Sequence, residues 1–206
     1  MRIGIYGGTF DPVHVGHLLL AEQCREACRL DEVWFVPTGS PPHKQGVEIA
    51  SGKARREMLE LAIAGLPQFR VSTLELDRPG PHYTVETLSN LRRSRPDDEL
   101  FLLMGGDSVA EFSTWREPER INELATIVAV NRGRGGLDLE PLRRALGTDA
   151  TRGVRLVTMP GIAISASDLR RRVGEGRSIR FQTPRSVEQY ILQHGLYRDA
   201  GASGPR

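Results

Sequence analysis

Arg2-Ile3-Gly4-Ile5-Tyr6-Gly7-Gly8-Thr9-Phe10-Asp11-Pro12-Val13-His14-Val15-Gly16-His17 opens as a β-rich run, breaks at paired glycines, and leads into a segment of helical period from Leu18 to Cys28. A strand ending in a glycine turn at a helix start is a setting in which backbone amides and the helix dipole favour an anion. The run is neither a dinucleotide fingerprint nor a P-loop, because the third glycine of the former and the Gly-Lys-Ser/Thr of the latter are missing. Other groups must serve a phosphate, and His14 and His17 are the candidates. Three residues apart near a helix start, they face the same way and can donate hydrogen bonds to triphosphate oxygens. A capping turn with incidental histidines, or a metal pair lacking an obvious third ligand, would be the alternatives; the conjunction with Gly7-Gly8-Thr9-Phe10 behind a strand favours the phosphate site.

The same alternation continues along the chain. Arg2 to Tyr6, Val33 to Val36, Arg70 to Glu75, Leu100 to Met104, Thr126 to Val130 and Arg155 to Met159 read as strands. Leu18 to Cys28, Ala54 to Ala64, Val85 to Arg93 and Leu139 to Leu146 have the three- and four-residue apolar spacing of helices, and two more helices close the chain. Several strands are almost wholly apolar, the mark of a parallel sheet covered on both faces, so the expected fold is α/β with a doubly wound parallel sheet. Such a sheet binds ligands beyond the carboxyl ends of its strands. That directs attention to Gly7 to His17, Pro37 to Lys44, Gly105 to Trp115 and Gly161 to Arg170. The loops Gly39 to Gly52 and Asp77 to His82 are candidates for a lid.

Composition narrows the class by exclusion. The 206 residues fit one domain, with 28 basic and 26 acidic side chains and a net charge of +2, which argues against a nucleic-acid footprint. The densest basic run, Arg170-Arg171-Arg172, reads first as a solvated helix face. Cys24 and Cys28 lie one turn apart in an amphipathic segment, as in a reducing compartment, and no run approaches the ~20 apolar residues of a membrane span. We therefore expect a cytoplasmic protein with no membrane partner. Residues 1–197 are expected to form the domain and 198–206, with the small polar run Ala200 to Arg206, a frayed tail. No coiled coil or interface stripe stands out, which leaves a homo-oligomer open.

His14-Val15-Gly16-His17 resembles the His-x-Gly-His signature of the nucleotidylyltransferase superfamily, an element related to one in class I aminoacyl-tRNA synthetases. Further matches, in order from residue 3 to residue 197, resemble the bacterial nicotinate-nucleotide adenylyltransferases. They are Gly7 to His14, Val36-Pro37 with Pro41-Pro42-His43-Lys44, Tyr83 to Leu88, Gly105-Gly106-Asp107-Ser108 with Trp115, Ile164 to Arg170, Pro184 to Ile191, and Gly195-Leu196-Tyr197. The resemblance implies a Rossmann-like fold and transfer of AMP from ATP to nicotinate mononucleotide in NAD biosynthesis, with pyrophosphate released and magnesium held mostly by phosphates and water.

By the same resemblance, His14 and His17 are catalytic. Gly7, Gly8, Thr9, Phe10, Gly105, Asp107, Ser165, Ser167 and Arg170 would bind ATP, while Lys44, Thr84, Trp115 and Arg132 would bind the acceptor. Local readings stand beside these roles. Ser165 with Asp168 is a capping-box pattern, Thr84 and Asp107 are N-cap candidates, Trp115 could serve the core, and Lys44 could be a solvated surface lysine. The chain departs from the family pattern at His82, where serine is common before Tyr-Thr, at Gly133, where proline often follows Arg132, and at Ala166 and Leu169. Rival readings are a transferase for nicotinamide mononucleotide or phosphopantetheine, a non-catalytic nucleotide sensor of the same fold, and a nucleic-acid module using Arg170 to Arg172.

Overall fold

The computed structural model describes residues 1–39, 49–133 and 135–198. Six parallel strands form one sheet in the order β3-β2-β1-β4-β5-β6. They are β1 (Arg2–Gly8), β2 (Glu32–Pro37), β3 (Phe69–Val71), β4 (Glu99–Gly105), β5 (Thr126–Arg132) and β6 (Arg155–Met159). The helices are α1 (Val15–Cys28), α2 (Gly52–Ala62), α3 (Thr84–Ser94), α4 (Gly106–Glu111), α5 (Pro118–Leu124), α6 (Glu140–Leu146), α7 (Thr148–Thr151), α8 (Ala166–Gly174) and α9 (Arg185–Gln193). The chain winds outward from β1 to β3, then returns to place β4 against the other side of β1. Strand order reverses there, so the carboxyl ends of β1 and β4 flank a crevice.

Side chains of a strand alternate between faces, and here both faces are covered. Phe101 and Leu103 of β4 join one buried cluster with Leu20, Cys24, Met58, Leu59, Leu169, Val187 and Ile191. Leu100, Leu102 and Met104 of the same strand join the other, with Leu88, Val109, Ile121 and Leu142. Two buried faces explain why β4 reads as an unbroken apolar run. Cys24 and Cys28 are free thiols in the first cluster, and among the described residues no helix is long and apolar enough to cross a membrane.

Three expectations change. The third strand ends at Val71 rather than Glu75: it pairs with β2 alone, and the Thr73 hydroxyl donates to Asp77 at 2.6 Å while the Asp77 N–H returns to the Thr73 carbonyl at 2.9 Å, turning the chain. Helices α5 and α7, of seven and four residues, are too short to show a period in the sequence. The first helix starts at Val15, ahead of the apolar periodicity, because His14 occupies its cap.

The carboxyl-terminal segment is fastened to the first loop. The Thr183 hydroxyl donates to the Val13 carbonyl at 2.7 Å, the Val15 N–H donates to the Gln182 carbonyl at 3.0 Å, and the Tyr197 hydroxyl donates to Asp11 Oδ1 at 2.6 Å. The fold thus brings residues from both ends of the chain to the head of α1. The expected tail residues 199–206 lie outside the described residues.

Candidate active site

The loop between β1 and α1 crosses the carboxyl end of the sheet. A side chain added at Gly7 would meet nothing within 4 Å, so the space above it is open. Phe10 holds φ at 51°, an uncommon value for a bulky residue, and sets its buried ring edge-on to Tyr6 (5.3 Å) and His17 (5.1 Å). His14 and His17 stack with ring centroids 3.7 Å apart. The His14 N–H donates to His17 Nδ1 at 3.2 Å, so a neutral His17 carries its proton on Nε2. One nitrogen of that ring is therefore an acceptor within the helix start, and Nε2 alone can donate outward.

Burial, reinforced by the charge of Arg132, pushes His14 down to about 4. Burial, then His14, then Arg132 hold His17 well below the usual histidine range. Both rings are neutral at pH 7, so what they can offer a ligand is a hydrogen bond rather than a positive charge. The shift has a consequence for stability. The unfolded chain takes up the His14 proton near pH 6.5 and the folded chain only near 4, so stability falls as pH drops through that window. We expect the Tm to decline between pH 6.5 and 4, and more shallowly in His14→Asn; parallel thermal melts of the two proteins check this.

Buried charges hold the loop from below, and among them Arg55 is one that the sequence does not single out. Asp11 is 1% exposed, and its Oδ1 accepts from Tyr197 and, at 3.3 Å, from the Ala50 N–H. Arg170 donates to the Asp11 carbonyl at 2.7 Å, and its guanidinium lies 3.9 Å from Asp11 Oδ2. Arg55, 2% exposed, donates to the carbonyls of Thr9 (2.9 Å) and Ala50 (3.0 Å). Asp11 lies inside a quoted motif, but nothing local distinguishes Arg55 from any arginine of a charged helix.

On the far side of the crevice, Gly105 caps α4, and Asp107 is exposed in that helix's first turn instead of serving as its N-cap. The Arg132 guanidinium arches over the end of β4, 3.2 Å from where a Gly105 side chain would begin. Gly133 has φ of 86° and donates its N–H to the Met159 carbonyl at 2.9 Å. Proline could adopt neither feature, which explains this departure from the family pattern. Ser165 is the N-cap of α8 as expected, its hydroxyl accepting from the Asp168 N–H at 3.1 Å, while the Asp168 side chain pairs with Arg171. Ser167 is exposed next to Arg170, whose guanidinium it meets at 3.4 Å, and Leu169 faces the core. Of the three consecutive arginines, Arg170 alone turns to the loop; Arg172 donates to the Ser178 carbonyl.

A cavity of about 200 Å³ opens between Gly7, Gly8 and Thr9 on one side and His82, Thr84, Thr87, Ser108 and Trp115 on the other. Trp115 is half-buried, 5.4 Å from Phe112, and also lines the cavity. Thr84 is the first residue of α3, with Tyr83 at the cap, one position from the expected assignment. Glu75 also lines this cavity and escapes the sequence reading, which places it on a strand that in fact ends before it. Lys44 lies outside the described residues, as does most of the loop Gly39 to Gly52.

A parallel sheet with its crevice at the β1/β4 switch, a stacked histidine pair at a helix head and arginines converging from β5 and α8 define a phosphate-handling, nucleotide-binding enzyme. Residues 5–172 match the model of the cytidylyltransferase-like family. A protein of Thermus thermophilus named probable nicotinate-nucleotide adenylyltransferase is 50% identical over 198 residues, covering 96% of this chain and 100% of that one. A protein of the same name from Thermomicrobium roseum is 48% identical over 204 residues, covering 99% and 95%. In architecture the chain is similar to Plasmodium falciparum nicotinic acid mononucleotide adenylyltransferase, solved with NaAD, at a TM-score of 0.77 and 20% identity, covering 95% of this chain and 97% of the other. The chain belongs to the cytidylyltransferase-like family and, within it, to the nicotinate-nucleotide adenylyltransferases.

Proposed function

We propose that the enzyme binds ATP across the head of α1 and the start of α8, and nicotinate mononucleotide in the cavity between the first loop and α3. The 5′-phosphate of the mononucleotide attacks the α-phosphorus of ATP in line, the bond to the β-phosphate oxygen breaks, and nicotinate adenine dinucleotide and pyrophosphate leave. No enzyme nucleophile takes part, so the rate derives from alignment and charge stabilisation. His14 and His17 supply hydrogen bonds to the triphosphate, and Arg170 with Ser167 meets the departing pyrophosphate. Asp107 is placed to accept from ribose hydroxyls, and Arg132 to neutralise phosphate charge between the two substrates.

The observation that carries this reading is the stacked neutral pair His14 and His17, on the loop whose Gly7, Gly8 and Thr9 wall a cavity that also holds Thr84 and Trp115. We further propose that magnesium enters with ATP. Among the described residues no group of three or more His, Cys, Asp or Glu side chains is gathered to hold a metal ion. Phosphate oxygens and water would supply its ligands, as suits a small hard cation. Free buried thiols suit a cytoplasmic enzyme. A turnover assay with ATP, magnesium and nicotinate mononucleotide tests the whole proposal: the expected result is stoichiometric dinucleotide and pyrophosphate, and their absence from the folded enzyme would refute it.

A further inference from the structure

Gly195-Leu196-Tyr197 turns the chain back where α9 ends. Gly195 takes φ of 61°, the Leu196 N–H donates to the Ile191 carbonyl at 3.0 Å, and Leu196 packs against the first buried cluster. Tyr197 follows at φ of 62°, a value that a bulky residue keeps only where its surroundings hold it. Its hydroxyl donates to Asp11 Oδ1 at 2.6 Å, on the loop that leads into α1. Burial, then the charge of Asp11, raise the Tyr197 pKa, so the hydroxyl keeps its proton and stays a donor.

Behind that bond lies an ion pair that has not closed. Asp11 is 1% exposed, and while Oδ1 accepts from Tyr197 and the Ala50 N–H, Oδ2 has no hydrogen-bond partner among the described residues. Two arginines are near. Arg55 directs its N–H groups to the carbonyls of Thr9, Ala50 and Gly39. Arg170 donates to the Asp11 main-chain carbonyl at 2.7 Å and to the Ser167 hydroxyl at 3.4 Å, and its guanidinium stands 3.9 Å from Oδ2. A guanidinium and a buried carboxylate this close ordinarily join through charged hydrogen bonds of about 2.7 to 2.9 Å. Here the tyrosine holds the carboxylate by its other oxygen.

Resting on the role given to Arg170 in the function above, we propose that Tyr197 is a positioning residue for pyrophosphate: by fixing Asp11 Oδ1 it keeps the carboxylate from closing on Arg170, and the guanidinium stays free to meet the phosphates. Without the hydroxyl, the carboxylate rotates onto Arg170, completes the ion pair and draws the guanidinium away from the ligand. Tyr197 acts on the ligand only through Asp11 and Arg170.

The reverse reaction tests this, since pyrophosphate there attacks the adenylyl phosphorus of nicotinate adenine dinucleotide to give ATP and the mononucleotide, and the KM for each substrate is read separately. With the full chain carrying Tyr197→Phe we expect the KM for pyrophosphate to rise about 10-fold and that for the dinucleotide less than about 3-fold. Arg170→Ala should raise the pyrophosphate KM at least as far. Adding Tyr197→Phe to Arg170→Ala should change it by no more than about 2-fold, because residues that act through one group are not additive. An undiminished effect of Tyr197→Phe in the Arg170→Ala background, an equal rise in both KM values, an unchanged pyrophosphate KM, or a Tyr197→Phe chain that does not fold would each overturn the inference. A wild-type enzyme that makes no dinucleotide, or Arg170→Ala with the wild-type pyrophosphate KM, overturns the functional reading itself, and the inference falls with it.

Discussion

Replacing His17 with alanine should lower turnover by about 10²-fold or more while leaving the fold intact. The ring is neutral, its Nδ1 is occupied by the His14 N–H, and it is clamped by Phe10 and Tyr6, so Nε2 is left as its donor, which on the proposed function acts where charge develops on the triphosphate. A preorganised donor of this kind acts more strongly in the transition state than in the ground state, so kcat should fall more than the KM for ATP rises. His17→Asn retains a donor on a shorter side chain and should sit between the two. Pyrophosphate release measured at about pH 7.5, well above the lowered histidine pKa values, checks the series, with melting curves to confirm folding. Turnover of the alanine variant within about threefold of wild type would remove His17 from the mechanism.

Arg55→Met should be the most destabilising single change around the site, costing about 3 kcal/mol or more. The guanidinium satisfies carbonyls of Thr9, Ala50 and, at 3.4 Å, Gly39, and it lies near buried Asp11. Burial by itself lowers its pKa, opposed by the nearby Asp11 and Tyr197, so the charge is kept at a desolvation cost that these partners offset. Methionine fills much of the volume but leaves the carbonyls without their donor and removes a positive charge from near Asp11. For a chain of this size the Tm should fall by about 6 to 12 °C. Arg55→Lys should rescue little, because a single ammonium cannot meet separate acceptors with a planar fork. A Tm within about 2 °C of wild type for Arg55→Met would show that water replaces the guanidinium and that the clamp is unimportant.

The class of fold was legible because two-sided burial leaves a local record. Leu100 to Met104 alternates between two cores, so every position is apolar, and the helices between strands carry their own period. The strand, glycine turn and helix start of Gly7 through His17 were legible for a similar reason, since they and the histidine spacing all lie within one short segment. Ser165 at the head of α8 followed from its capping pattern.

What could not be read lies in contacts between residues far apart in the chain. Asp11 meets Tyr197 and Arg170 only after the carboxyl-terminal helices fold back across α1, and Arg55 finds Thr9 only when α2 packs beneath the loop. The charge state of the histidines belongs to this group, because desolvation and the approach of Arg132 are properties of the folded molecule. So does the position of His82 and Glu75 at one cavity, which depends on β3 stopping early and the chain turning at Thr73. By itself the sequence determined a parallel α/β sheet and the glycine loop that leads from its first strand into a helix, since helix and strand periods and glycine turns are short-range. Tertiary structure alone decided which charges support that loop and which side chains line the cavity beside it, since burial and long-range pairing arise only on folding.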